Sequence, residues 1–253
     1  MYLSSSTVPA HSFVTLNRPD TAREDFTPGK APLAFLLDVD NTLLDNDRFA
    51  ADLSVWLTER FGEAEQRRYW SLYEDLRRQL GYADYLSAAQ QFRAGLEQHP
   101  ALLELAHQLL DYPFADRLFP QVHAVLSYLR SIAPTAILSD GDVIFQPRKI
   151  QRAGLWQALD GQVLIYVHKE RMLEPVRQRF PAQHYVMVDD KAAILGAMKQ
   201  ILGPSLTTVW VRQGHYAADA VGDPAPDLTF NAIADLLTVS PSSWLPTHLQ
   251  GSL

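Results

Sequence analysis

The sequence predicts an α/β protein: a doubly wound parallel sheet with a helical domain inserted after its first strand. Three observations predict it. Short, continuous apolar runs recur along the chain, as in strands buried on both faces. Amphipathic stretches of helical length separate the later runs, and such alternation implies right-handed parallel crossovers. Residues 46–118 interrupt the alternation with helical periodicity alone.

In chain order, residues 1–30 are rich in Ser, Thr and Pro and read as an N-terminal extension. The first strand is Leu33-Ala34-Phe35-Leu36-Leu37. Phe49, Leu53, Trp56, Leu57 and Phe61 then recur at helical spacing, as do Tyr69, Leu72, Leu76 and Leu80. Two further helices are expected near 84–98 and 101–111. Strands return at Thr135–Leu138, Val163–Val167, Tyr185–Val188 and Thr207–Val211. Helices are expected at about 144–158, 170–180, 191–202 and 228–238. This divides the chain into a core (31–45 and 119–240), a helical insert (46–118) and a C-terminal tail (241–253).

Composition narrows the function. The 253 residues are 47% hydrophobic and 20% charged, as in an ordinary folded protein. A net charge of -7 argues against nucleic-acid binding, which usually needs a basic stripe. With no cysteine, disulfides, thiolate catalysis and Cys-ligated metals are excluded. No apolar run approaches the roughly 20 residues of a membrane span, and no signal peptide is evident, so a cytoplasmic location is expected. The lysines are Lys30, Lys149, Lys169, Lys191 and Lys199.

Four strand ends carry chemistry. The first reads Asp38-Val39-Asp40-Asn41-Thr42. Strand periodicity puts Asp38 and Asp40 on one side, where paired carboxylates need a cation or a proton to coexist. Asp-Asn-Thr is equally good turn or cap material. The second reads Ser139-Asp140-Gly141-Asp142, which offers a hydroxyl and successive N–H groups to a phosphate, or else a helix cap. The third is Lys169, able to neutralise a phosphoryl group or a cluster of acids, though most lysines are simply solvated. The fourth is the pair Asp189-Asp190, hard oxygen donors that suit Mg²⁺ or an acid favouring the next helix start.

Together, in this order, these segments resemble the motifs of the haloacid dehalogenase superfamily of aspartyl-nucleophile phosphohydrolases. The resemblance spans about residues 31–240 and implies a Rossmann-like core with a helical cap. It further implies that Asp38 attacks phosphorus, that Asp40 serves as acid and then base, and that Ser139 and Lys169 hold the transferring oxygens. Phosphate contacts are implied for Asn41, Ser139, Asp140, Gly141 and Lys169. Mg²⁺ is implied at Asp38, Asp189, Asp190 and the backbone carbonyl of Asp40. In the family the third-motif lysine is often followed by proline, but here Glu170 follows Lys169, and Lys149 is a second candidate. Alignment with the family's Gly-Asp form favours Asp190 over Asp189 as the direct metal contact.

The resemblance also selects among reactions. Family dehalogenases lack an acid at the position of Asp40, because a halide needs no proton. Phosphonate hydrolases use a lysine in the insert, and none lies between Lys30 and Lys149. A Mg²⁺-dependent phosphatase acting on a small phosphorylated metabolite is therefore expected. A phosphomutase, a dehalogenase and a non-catalytic module of this fold are the alternatives. A receiver domain would place its acid pair first and lack the insert. The stretch from Ser139 to Lys169 is too short for the family's other, larger cap. Within the insert region, Asp45, Asn46, Tyr82, Tyr85 and Arg93 are the candidates to face substrate.

Overall fold

The computed structural model describes residues 30–245. The expected N-terminal extension before residue 30, and the tail after 245, lie outside the described residues. Among the described residues, six strands form one all-parallel sheet in the order β3-β2-β1-β4-β5-β6. They are β1 (Ala31–Leu37), β2 (Thr135–Asp140), β3 (Val163–Tyr166), β4 (Ala182–Asp189), β5 (Leu206–Val211) and β6 (Leu228–Phe230).

The apolar runs are continuous because the sheet is covered on both faces. In β1, Leu33, Phe35 and Leu37 join one apolar cluster, while Ala34 and Leu36 join the other. In β4, Val186 and Val188 face the first cluster and Tyr185 and Met187 the second. Successive side chains of a strand point to opposite faces, so a strand buried on both must be apolar at every position. Helices α8 (Leu173–Arg179) and α9 (Ala192–Leu202) cover the second face with Leu173, Val176, Leu195 and Met198.

Between β1 and β2 run α1 (Asn46–Phe61), α2 (Glu63–Leu80), α3 (Tyr85–Phe92) and α4 (Ala101–Leu110). Asp45 caps α1 by accepting the N–H of Arg48 at 2.9 Å, and Asp84 caps α3 through Ser87 at 2.8 Å. The first-face cluster continues from the sheet into this insert through Phe49, Tyr69, Tyr85, Phe92 and Leu105.

Three segments differ from the sequence expectation. The helix expected at 144–158 is two, α6 (Phe145–Arg152) and α7 (Leu155–Ala158), parted by Gly154 with φ of 75°. The helix expected at 228–238 is strand β6 followed by a 3-10 turn over Ile233–Thr238. Leu228, Ile233 and Leu236 suit either periodicity, but β6 pairs with the exposed edge of β5 and Asp235 accepts the N–H of Ala232. The described part of the expected tail is packed: Trp244 is fully buried, edge-on to Phe35 at 5.5 Å. Helix α5 (Val122–Ile132) falls where the sequence analysis names no element, although Val122, Val125, Leu126 and Leu129 carry a helical apolar stripe. No helix among the described residues is long and apolar enough to cross a membrane.

Candidate active site

Parallel strands bring their C-terminal ends to one edge of the sheet. Here β1 lies between β2 and β4, and the chain crosses from one side of β1 to the other at that point. Such a switch point opens a crevice at the strand ends. Asp38 follows β1, Ser139 and Asp140 end β2, Asp189 ends β4 with Asp190 next, and Lys169 comes three residues after β3.

Lys169 ties these ends together. Its side chain is 1% exposed, with Nζ 2.5 Å from Asp38 Oδ1 and 2.7 Å from Asp189 Oδ2. It also donates to the carbonyl of Leu138 at 3.2 Å. The turn that delivers it is fixed by His168, in the left-handed region at φ 59°, and by Asp140 Oδ1, which accepts the N–H of Lys169 at 2.8 Å. Burial opposes the lysine's charge, but Asp189 and Asp38 outweigh it and raise its pKa above the usual range.

The acids are crowded. Asp38, Asp189 and Asp190 each offer an oxygen, all within 4.8 Å of one another. Burial pushes Asp38 up to about 6, with Lys169 pulling it down and Asp189 pushing further up. Burial, then Asp189 and Asp38, push Asp190 up to about 9. Both carboxylate oxygens of Asp190 are buried without a hydrogen-bond partner among the described residues. Buried polar atoms are rarely left so, and three hard oxygen donors around unpartnered atoms fit a divalent cation such as Mg²⁺.

Asp40 faces another way. Lys149 Nζ, on α6, donates to both its oxygens, at 2.8 and 2.9 Å, and Gln146 Nε2 donates to Oδ2 at 3.2 Å. Gln146 also donates to Ser139 Oγ at 3.0 Å, so one amide links the first two motifs. Asn41 does not join them. Its Oδ1 accepts the N–H groups of Asn46 and Asp47 at 3.0 and 3.2 Å, its Nδ2 donates to Asp47, and its own N–H donates to Leu44. The N–H of Gly141 is likewise committed, to the carbonyl of Tyr166 at 3.0 Å. Of the insert candidates, Asn46 and Tyr85 reach the site, Asn46 accepting from Lys149 at 3.0 Å. Arg93 is exposed at the end of α3, and Asp45 is spent on capping.

Several site residues escaped the sequence analysis. Lys191 lies among the acids, its pKa raised by Asp38, Asp190 and Asp189 against burial, with Nζ 5.2 Å from the centre of the Tyr216 ring. His215 binds Asp47 at the start of α1, and Tyr216 accepts from Arg77 of α2 at 2.6 Å. Nothing marks His215 and Tyr216 in the sequence, since their partners Asp47 and Arg77 lie more than a hundred residues away. Lys191, although next to Asp190, gives no local sign that it also meets Asp38. A surface depression lined by Arg130, Pro134, Thr135, Gln162 and Phe180 sits at the opposite, N-terminal edge of the sheet and contains none of the candidate residues.

Residues 32–201 match the family model of the haloacid dehalogenase-like hydrolases. The chain belongs to that family. A crystal structure of a haloacid dehalogenase-like hydrolase from Burkholderia xenovorans LB400 is 49% identical, covering 86% of this chain and all of that one, with a TM-score of 0.80. Two more distant hydrolases share the fold. The HAD-hydrolase YfnB from Bacillus subtilis, solved bound to magnesium, is 16% identical over 83% of this chain and 98% of that one, with a TM-score of 0.58. The L-2-haloacid dehalogenase of Xanthobacter autotrophicus, with chloropropionic acid covalently bound, is 19% identical over 80% of this chain and 96% of that one, at 0.54. No curated protein matches the chain.

Proposed function

We propose that this hydrolase is a Mg²⁺-dependent phosphatase acting on a small phosphorylated metabolite. The observation that carries the reading is the division of labour between two carboxylates two residues apart. Asp38 faces Lys169 and the acid cluster, whereas Asp40 faces Lys149 and Gln146. That separation suits one nucleophile and one proton carrier. Mg²⁺ would be held by Asp38, Asp189, Asp190 and the carbonyl of Asp40, and when bound it supplies positive charge that lets a carboxylate approach a phosphate dianion.

The chain's own residues do the rest. An oxygen of Asp38 attacks phosphorus, and the bond to the leaving alcohol breaks as its oxygen takes a proton from Asp40. Asp40, now a carboxylate, takes a proton from water, whose oxygen attacks the phosphoryl group. The bond to Asp38 breaks and inorganic phosphate leaves. Ser139 and Lys169 hold the phosphoryl oxygens, Lys169 countering the charge that builds on them. Residues 46–118 act as a cap over a core of 31–45 and 119–240, excluding bulk water. Contacts of Arg77 with Tyr216, and of Arg148 with Asp111 at 2.7 Å, support that closure.

The test is hydrolysis of para-nitrophenyl phosphate and of a panel of phosphorylated metabolites with Mg²⁺. Turnover that disappears with a chelator supports the reading. Absence of turnover on every ester, with chloride release from 2-chloropropionate instead, would replace it with dehalogenation.

A further inference from the structure

Lys149 has no part in the chemistry above, yet it is one of the few charged side chains among the described residues that are almost fully buried. It is 1% exposed, rising from α6 into the seam between core and insert. On the core side it holds both oxygens of Asp40. On the insert side it donates to Asn46 Oδ1 at 3.0 Å, at the first residue of α1. Four aromatic rings surround the ammonium. The Phe145 centroid lies at 5.2 Å, Tyr85 and Phe114 at 5.9 Å, and Phe49 at 6.0 Å. Three of the four, Phe49, Tyr85 and Phe114, belong to the insert segment. Rings at this range favour a cation, and the cage leaves Nζ few other directions in which to donate.

We propose that Lys149 is a positioning residue that acts through Asp40. It fixes the carboxylate rotamer from which Asp40 exchanges its proton, and it does so only while Asn46 and the insert rings hold its ammonium in place. Proton transfer thereby depends on the seating of the insert. The proposal deepens the phosphatase reading and rests on it for its kinetic consequence, though not for its structural one. Gln146 alone cannot do the same, because its amide reaches only one Asp40 oxygen and also donates to Ser139 Oγ.

The experiment uses Lys149→Met, whose flexible apolar chain fills the cage without a charge, and Lys149→Gln should the first variant fold poorly. A crystal structure of the variant reads the structural claim regardless of activity. Asp40 is expected to leave its rotamer, while Asp38, Asp189 and Asp190 keep theirs. An Asp40 that stays in place overturns the proposal.

Kinetics read the second claim. The ratio kcat/KM stops at transfer of phosphorus to Asp38, so it senses the acid role of Asp40 alone. It is expected to fall about a hundredfold for an alkyl phosphate, a modest share of what a positioned acid contributes, and much less for para-nitrophenyl phosphate, whose leaving group needs no proton. In an Asp40→Asn background the same substitution is expected to cost under about twofold, because residues acting as one unit are not additive. Equal losses for both esters, or losses that multiply with Asp40→Asn, overturn it. If the wild type hydrolyses no phosphate ester while Asp40 does move in the variant crystal, the phosphatase reading fails and the positioning role stands.

Discussion

At the scale of single residues, charge and burial compete around Asp38. Lys169 and Lys191 stand against three buried acids, and the crowding of those carboxylates is what a cation would relieve. Asp38→Asn is expected to lower kcat by about 10⁴-fold or more, as loss of a nucleophile does in other enzymes, with the fold retained by circular dichroism. Asp190 makes a prediction about stability. Its pKa in the folded protein is about 9, against an ordinary 3.8. Between those values the unfolded chain has released a proton that the folded chain keeps, so stability falls as pH rises through that window. Asp38 adds to the fall up to about 6. The raised values of Lys169 and Lys191 act only above the ordinary lysine range, where their contribution is lost. Thermal unfolding with chelator present is therefore expected to show a midpoint that drops from about pH 5 to about pH 8, and Asp190→Asn is expected to flatten the drop. A variant with the same slope as wild type would remove Asp190 as its cause.

At the scale of elements, two contacts are decisive. The turn Pro241–Trp244 sets a fully buried indole against Phe35 of β1. Trp244→Ala is expected to cost about 3–5 kcal/mol by chemical denaturation, in the range of large cavities. Trp244→Phe is expected to cost far less, because the indole N–H has no hydrogen-bond partner among the described residues. The second contact seats α2 on the core. Gly81 ends α2 with φ of 81°, and a β-carbon there would lie 2.6 Å from His168 Nε2. Gly154 has a similar left-handed backbone with open space around it. Gly81→Ala is expected to destabilise more than Gly154→Ala, and the difference in melting temperature measures the contact with His168 rather than backbone strain. These elements also show where periodicity fails. A single glycine split the expected helix at 144–158, and the edge of β5 drew Leu228–Phe230 into a strand. Sequence spacing reports which face is apolar, not whether a neighbouring strand is unpaired.

At the scale of the whole molecule, the proposed cation site is assembled from two strand ends brought together only by folding. A cation that binds there binds the folded chain and not the unfolded one, so it stabilises the whole fold. Mg²⁺ is expected to stabilise the folded chain by about 2.7 kcal/mol at a hundred times its dissociation constant, read as a raised unfolding midpoint that chelation reverses. The gain should be lost in Asp190→Asn. No shift with Mg²⁺ at any concentration would count against the cation site itself.

The sequence alone determined the layered α/β fold, because strands buried on both faces must be apolar throughout. It also marked the strand ends, since Asp38, Asp40, Ser139, Lys169, Asp189 and Asp190 break those apolar runs at their C-terminal limits. Only the tertiary structure decided which of these groups meet. The two candidate lysines are twenty positions apart, and nothing local tells that Lys169 turns to Asp38 and Asp189 while Lys149 turns to Asp40. Nor does anything local tell that Asn41 is absorbed into the start of α1, or that Gln146 joins Asp40 to Ser139. The physical reason is one of range. Burial and periodicity are properties of a few neighbouring residues, whereas hydrogen bonds and ion pairs between strand ends depend on sheet order and on how the insert seats, which no short stretch of chain encodes.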